Sequence, residues 1–275
     1  MKDNVLIIIP AFNPDENLKN VIDKLIQKNF KNIIVVDDGS KNYKPFEEIK
    51  DKAIILKHNK NKGKGEALKT AFKYCVNNEE TANVVITVDS DGQHDVEDVE
   101  KMWKISEKNK DKVILGIRNF KKAPMCSKIG NAIINKKICK KTKINFKDTQ
   151  TGLRAIPIKY LKDLIKIPGE RYEYETNVLL YFAENKIEII ENEIKTIYID
   201  KNKNSSFRKI KDSIKVYKTI KRNQNALWLS SECILVRQRF FNWICYSIKN
   251  LRSVIRLSSK IFSFSSISQF HNSLF

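Results

Sequence analysis

Apolar and polar positions alternate in blocks along the first 120 residues. Five short apolar runs recur: VLIII (5–9), NIIVVD (32–37), AIILK (53–57), NVVITVD (83–89) and KVILGI (112–117). Each is rich in β-branched residues and almost continuously apolar, the pattern of a strand buried on both faces. Amphipathic stretches lie between several of them, at 16–28, 65–76 and 95–108. The first carries Leu18, Val21, Ile22, Leu25 and Ile26 on one face. Buried strands separated by helices of this length predict an α/β fold, a mostly parallel sheet with helices on both faces. Ligands of such sheets collect at the carboxyl ends of the strands. The residues to inspect are therefore Pro10-Ala11-Phe12-Asn13, Asp37-Asp38-Gly39-Ser40 and Asp89-Ser90-Asp91, each just after an apolar run.

The texture changes from 121. KKAPMCSKIGNAIINKKICKKTK predicts a basic helix packing through Ile129, Ala132, Ile133 and Ile138. DTQTGLRAIP (148–157) predicts a turn leading into a short strand. Residues 175–184 predict a helix, 187–199 strand material and 209–222 a further helix. After about 225 the composition shifts again, and residues 226–275 hold eleven serines and two of the three tryptophans without a clean helical or strand period. Two readings of this tail stand side by side: a disordered basic tail, or the remnant or out-of-frame replacement of a membrane segment. The expected organisation is one domain over 1–222, divided at 120, followed by a Ser-rich basic segment over 223–275.

Charge and cysteine usage narrow the class. The chain carries a net charge of +20 over 275 residues. Residues 201–275 contribute fifteen Lys and Arg against two acids, so +13 of the total lies there. A basic end implies an anionic partner: nucleic acid, a lipid surface or a phosphorylated substrate. Cys75, Cys126, Cys139, Cys233 and Cys245 form no C-x-x-C pair and no metal-ligand spacing. With an N-terminal apolar run of only five residues, they predict a cytoplasmic location. No window approaches the roughly 20 apolar residues that span a bilayer.

The densest chemistry lies in VVITVDSDGQHDVEDV (84–99). Asp89 and Asp91 flank one residue at the end of a buried strand, where two carboxylates repel unless a cation sits with them. Mg²⁺ suits such a place, since it takes carboxylate oxygens together with substrate phosphates. Gln93 offers a neutral oxygen, and His94 is either a partner of these acids or a plain polar loop residue. Asp95, Glu97 and Asp98 fit the start of the next helix, where its dipole favours negative charge. Gly63-Lys64-Gly65 precedes a helical stretch, so backbone N–H groups and Lys64 there suit a diphosphate. The segment lacks the Walker pattern, which argues against an ATPase.

Six motifs in order, IIIPAFNPDENL (7–18), VVDDGS (35–40), NKGKGEALKTAF (61–72), VDSDGQHD (88–95), GIRN (116–119) and DTQTGLRAIP (148–157), resemble the family 2 glycosyltransferases. Among these the chain is similar to the polyprenyl-phosphate sugar transferases typified by dolichol-phosphate mannosyl- and glucosyltransferases, over residues 4–222. The resemblance implies a GT-A type, Rossmann-like fold and inverting transfer of a hexose from GDP- or UDP-hexose to a polyprenyl phosphate. The enzyme would sit at the inner face of the membrane as a peripheral protein. It assigns Pro10, Ala11, Asn13, Asp38, Gly63, Lys64 and Asp89 to the nucleotide sugar. Asp89, Asp91 and Gln93 are assigned to Mg²⁺ or Mn²⁺, and Asp91, Arg118 and Arg154 to catalysis. Arg118, Lys128, Arg154, Ser206 and Arg208 are assigned to the acceptor phosphate. SSFRKIKDS departs from the G-x-S-K form of the mannosyltransferases, which leaves the donor sugar open. Glu173 and Glu175 either shape the acceptor side or start a helix. Two other functions stand as alternatives: transfer to a sugar hydroxyl in glycan assembly, and a basic nucleic-acid-binding protein. The absence of Q-x-x-R-W argues against a processive synthase. The ordered acidic strand ends and the lack of interleaved aromatics argue against a nucleic-acid partner.

Overall fold

The computed structural model describes residues 2–78, 82–118, 135–136, 138–139, 144 and 146–195. Lys128, Ser206, Arg208, most of the expected basic helix, the expected 209–222 helix and the 223–275 tail lie outside the described residues.

Among the described residues, seven strands form one sheet: β1 (Val5–Ala11), β2 (Ile33–Asp37), β3 (Ile54–Lys57), β4 (Val84–Thr87), β5 (Val113–Arg118), β6 (Arg154–Pro157) and β7 (Ile189–Ile194), in the order β3-β2-β1-β4-β6-β5-β7. All five predicted strands in the first 120 residues are present. Pairing is parallel except at β6, which runs antiparallel to both β4 and β5.

The described helices include α1 (Asn17–Gln27), α2 (Lys44–Glu47), α3 (Lys64–Asn78), α4 (Val96–Lys108), α5 (Leu161–Leu164) and α6 (Glu173–Glu184). They divide between the two faces of the sheet, as the continuous apolar strands require. Along β1, Val5, Ile7, Ile9 and Ala11 pack with α1 and α4, while Leu6 and Ile8 pack with α3, α5 and α6. Every residue from Val5 to Ile9 is at most 1% exposed, and each such burial is worth roughly 1.5–3 kcal/mol. Helix α1 buries Leu18, Val21, Ile22 and Leu25 but leaves Ile26 39% exposed, so the apolar face is one residue narrower than expected.

Two details bring the site together. Pro10 lies in a central strand, where its missing N–H would normally break a ladder. That N–H would face β4, whose register with β1 ends at the Ile8–Thr87 pair. The reversal of β6 matters more. Thr87 pairs with Arg154, so the amino end of β6 lies beside the carboxyl end of β4. The loop 148–153 therefore arrives at the same edge of the sheet as the loops after β1, β2 and β4.

Candidate active site

Asp89 is the centre of this edge. One carboxylate oxygen meets Lys64 Nζ at 2.7 Å and the other meets His94 Nε2 at 3.2 Å. Lys64 Nζ also reaches Glu175 Oε1, in the first turn of α6, at 3.1 Å. Burial opposes charge on Lys64 and Asp89, but mutual attraction outweighs it. Lys64 is held above its ordinary pKa by Asp89 and Glu175, and Asp89 below its own by Lys64 and His94. Gly152 backs the same carboxylate so closely that a Cβ there would come within 2.6 Å of Asp89 Cγ. Its carbonyl accepts from Thr87 Oγ1 at 2.7 Å, tying the loop to β4.

Asp91 differs from Asp89. It accepts only the Gln93 backbone N–H, at 3.0 Å, and forms no ion pair among the described residues. Burial and the neighbouring Asp89 charge raise its pKa. A carboxylate in that state is one that a divalent cation would relieve, and oxygen donors are what Mg²⁺ and Mn²⁺ take. The residues thus fit a cation at Asp91, with Gln93 adjacent. The described residues contain no cluster of three His, Cys, Asp or Glu side chains suited to a metal, so the remaining oxygens of such a site would come from Gln93, substrate phosphate or water. Gly92, with φ +74, makes the turn that places Gln93 over Asp91.

Further along, Asp95 caps α4 by accepting from the Glu97 N–H at 3.0 Å. The 95–98 acids form the expected helix start, with one addition. Asp98 is 1% exposed and accepts the Lys195 N–H at 2.7 Å, anchoring the residue after β7.

The loop before α3 is held by Asp38, which is 3% exposed. One of its oxygens accepts from the Lys62 N–H at 2.8 Å and lies 2.7 Å from His58 Nδ1; the other accepts from the Gly63 N–H at 2.7 Å. His58 Nε2 continues to Thr70 Oγ1 on α3 at 2.9 Å. Asp38 and Gly63, expected at the nucleotide, here bind each other. Gly63, with φ +104, and Gly65 give the loop its close fit to residues 170–174; a Cβ on Gly65 would meet Tyr174 Cβ at 2.6 Å. The loops after β1 and β2 are joined as well. Asn13 receives the Lys41 N–H on its side chain, and its own N–H donates to Ser40 Oγ at 2.8 Å. Asn13 is exposed, while Pro10 and Ala11 are buried at the strand end.

The two arginines expected at the acceptor phosphate have protein partners. Arg118 grips Asp148, which is fully buried, through Nε at 2.7 Å and an Nη at 3.1 Å. Burial works against its charge, and the Asp148 bond more than offsets that, raising its pKa. Arg154 is 2% exposed, so in this structure it is not a surface contact. Its guanidinium donates to the carbonyls of Thr151 at 3.0 Å, Glu175 at 2.8 Å and Thr149 at 3.5 Å. Burial lowers its pKa.

Sequence reasoning passed over His58, Asp148, Gly152 and the Lys64–Glu175 pair. Asp148 and Gly152 stand inside the DTQTGLRAIP motif. An acid and a glycine before a short strand are the signal that a loop packs tightly against a charged group.

A glycosyl transferase family 2 model matches residues 6–157, more than half the chain and the carboxyl ends of β1, β2, β4 and β5. The chain belongs to glycosyltransferase family 2. It is 33% identical over 219 residues to a UDP-N-acetylglucosamine–dolichyl-phosphate N-acetylglucosaminyltransferase of Methanococcus voltae, covering 71% of this chain and 86% of that one. It is 27% identical over 201 residues to an undecaprenyl-phosphate 4-deoxy-4-formamido-L-arabinose transferase of Pectobacterium atrosepticum, covering 68% and 58%. A crystal structure of glucosyl-3-phosphoglycerate synthase from Mycobacterium tuberculosis, with Mn²⁺, UDP and phosphoglyceric acid, superposes with a TM-score of 0.59 at 15% identity, covering 79% of this chain and 77% of that one. That likeness confirms the GT-A type fold. This family 2 chain is a glycosyltransferase, and the two relatives just described are named for transfer to dolichyl phosphate and to undecaprenyl phosphate. No described helix is long and apolar enough to cross a membrane.

Proposed function

We propose that this family 2 glycosyltransferase transfers a hexose from a GDP- or UDP-hexose to a polyprenyl phosphate, inverting the anomeric centre, at the cytoplasmic face of a membrane. The observation that carries the reading is the state of the carboxylates around the strand ends. Asp38, Asp89, Asp148 and Glu175 are all engaged by cations or backbone N–H groups, and Asp91 is the carboxylate assigned to the divalent cation. An acceptor hydroxyl would need a carboxylate held ready to take its proton. A phosphate monoester needs none, since its second pKa of about 6 leaves it ionised at neutral pH. The 33% identical relative named for a dolichyl-phosphate acceptor supports the same choice.

On this reading Pro10, Ala11 and Asn13 line the nucleoside pocket. Asp38 sets the loop that presents Lys64 to the diphosphate. Asp91, with Asp89 and Gln93, holds Mg²⁺ or Mn²⁺, whose chemistry when bound is to stabilise charge developing on the leaving diphosphate. Arg118, together with Lys128, Ser206 and Arg208, is assigned to the acceptor phosphate. Arg154 contributes by fixing the carbonyls of the 149–151 loop. Orientation of an already charged nucleophile does the remaining work. The basic segment 201–275 supports placement at an anionic lipid surface.

A panel of radiolabelled nucleotide sugars, offered with polyprenyl phosphate and with Mg²⁺ or Mn²⁺, tests the proposal. Label should pass into the lipid fraction. Transfer only to a soluble glycan would overturn it.

A further inference from the structure

Lys64 sits where a bound cation's positive charge would otherwise be needed. Its ammonium bridges Asp89 at 2.7 Å and Glu175 at 3.1 Å, and its side chain is only 15% exposed. With His94 on the second oxygen, both oxygens of Asp89 are engaged. Gly152 closes the carboxylate from behind. Asp91, two residues on, has no such cation among the described residues. The pair of acids is therefore half neutralised by a residue of the protein itself. Lys64 opens α3 on a flexible four-carbon stem, so its head can exchange one set of oxygens for another without moving the helix. A nucleoside diphosphate brings such oxygens, while Glu175 gives the ammonium a second anchor during the exchange.

We propose that Lys64 serves as an internal counter-cation that occupies Asp89 until a nucleoside diphosphate draws it away, so that the divalent ion and the nucleotide bind as a coupled pair rather than the ion first. The inference rests on the proposed cation site at Asp91 and Asp89. Coupling of two ligands through one residue is reciprocal and commonly amounts to about 5- to 150-fold in affinity.

Mn²⁺ binding, followed by the loss of the free-ion paramagnetic resonance signal, reads this without any turnover. In the wild-type protein, UDP or GDP should tighten Mn²⁺ binding about tenfold or more. Lys64→Met and Lys64→Gln should bind Mn²⁺ alone about tenfold more tightly than wild type and show a smaller response to nucleotide. Lys62→Met removes the same charge from an exposed neighbour and should leave Mn²⁺ binding close to wild type. Three results would overturn the inference while leaving the cation site standing. One is wild-type Mn²⁺ affinity indifferent to either nucleotide, which needs no variant to observe. Another is Lys64 variants that bind Mn²⁺ as wild type does. The third is an equal gain in Lys62→Met, which would reduce the effect to net charge. Mn²⁺ binding by none of the proteins, with or without nucleotide, would remove the cation site and the inference together.

Discussion

The loop before α3 and the loop before β6 both end against Asp89, yet opposite chemistries hold them. In the first, a buried acid collects backbone donors: Asp38 takes the N–H groups of Lys62 and Gly63 and is steadied by His58. In the second, a buried base collects backbone acceptors: Arg154 donates to the carbonyls of Thr149, Thr151 and Glu175. The outcome at Asp89 differs accordingly. The acid-held loop delivers a side chain, the Lys64 ammonium, that can change partners. The base-held loop delivers bare backbone, Gly152, that cannot. On the proposed reading one wall of the site is adjustable and the other is fixed, which suits the entry of a charged diphosphate beside the two acids.

Removing the base should do the greater damage. Arg154→Met removes the buried guanidinium that donates to three carbonyls, and we expect a loss of about 3 kcal/mol or more in denaturant unfolding. A loss under about 1 kcal/mol would mean that the second loop is not held as described. Asp38→Asn keeps the shape of the side chain but removes the charge that draws three donors. About 1–3 kcal/mol should go, together with a raised KM for the nucleotide sugar. If KM stays unchanged while stability falls, Asp38 does not act through the Lys64 loop. Gly152→Ala sharpens the contrast from the other side. A methyl group cannot coexist with Asp89 where it stands, so kcat should fall roughly a hundredfold, as for other ångström-scale misplacements of reacting groups. Far-ultraviolet circular dichroism should stay close to wild type. The smallest effect belongs to Arg118→Lys, which keeps the charge but not the two-pronged grip on Asp148. We expect a loss of about 1–2 kcal/mol, less than for Arg118→Ala in the same unfolding measurement.

The two loops were not equally open to sequence reasoning. The parallel strands β1 to β4 were legible because burial on both faces leaves continuous apolar runs, and turn residues mark their ends. The helix start at Asp95 was legible for a similar local reason, since capping depends on neighbours in the chain. The direction of β6 was not. Arg154-Ala155-Ile156-Pro157 reads the same either way, and only its pairing with Thr87 and Leu115 sets it antiparallel. The roles of the arginines were hidden by the same gap. Arg118 and Arg154 stand in motifs and suggest phosphate contacts, but burial and partner choice are tertiary facts. Glu175 was ambiguous between a helix start and the acceptor side. Its engagement by Lys64, 111 positions earlier in the chain, is a contact no local pattern encodes. Asp89 and Asp91 looked equivalent as a D-x-D pair, and only the structure separates the ion-paired acid from the one that forms no ion pair among the described residues.

That separation is most directly tested by Asp91→Asn, assayed for transfer of labelled sugar from nucleotide to polyprenyl phosphate across a titration of Mg²⁺ and Mn²⁺. The account predicts that the variant unfolds at the wild-type temperature or slightly above it, since one uncompensated carboxylate is gone, and that metal-dependent turnover is abolished. Wild-type turnover with an unchanged metal dependence would contradict it.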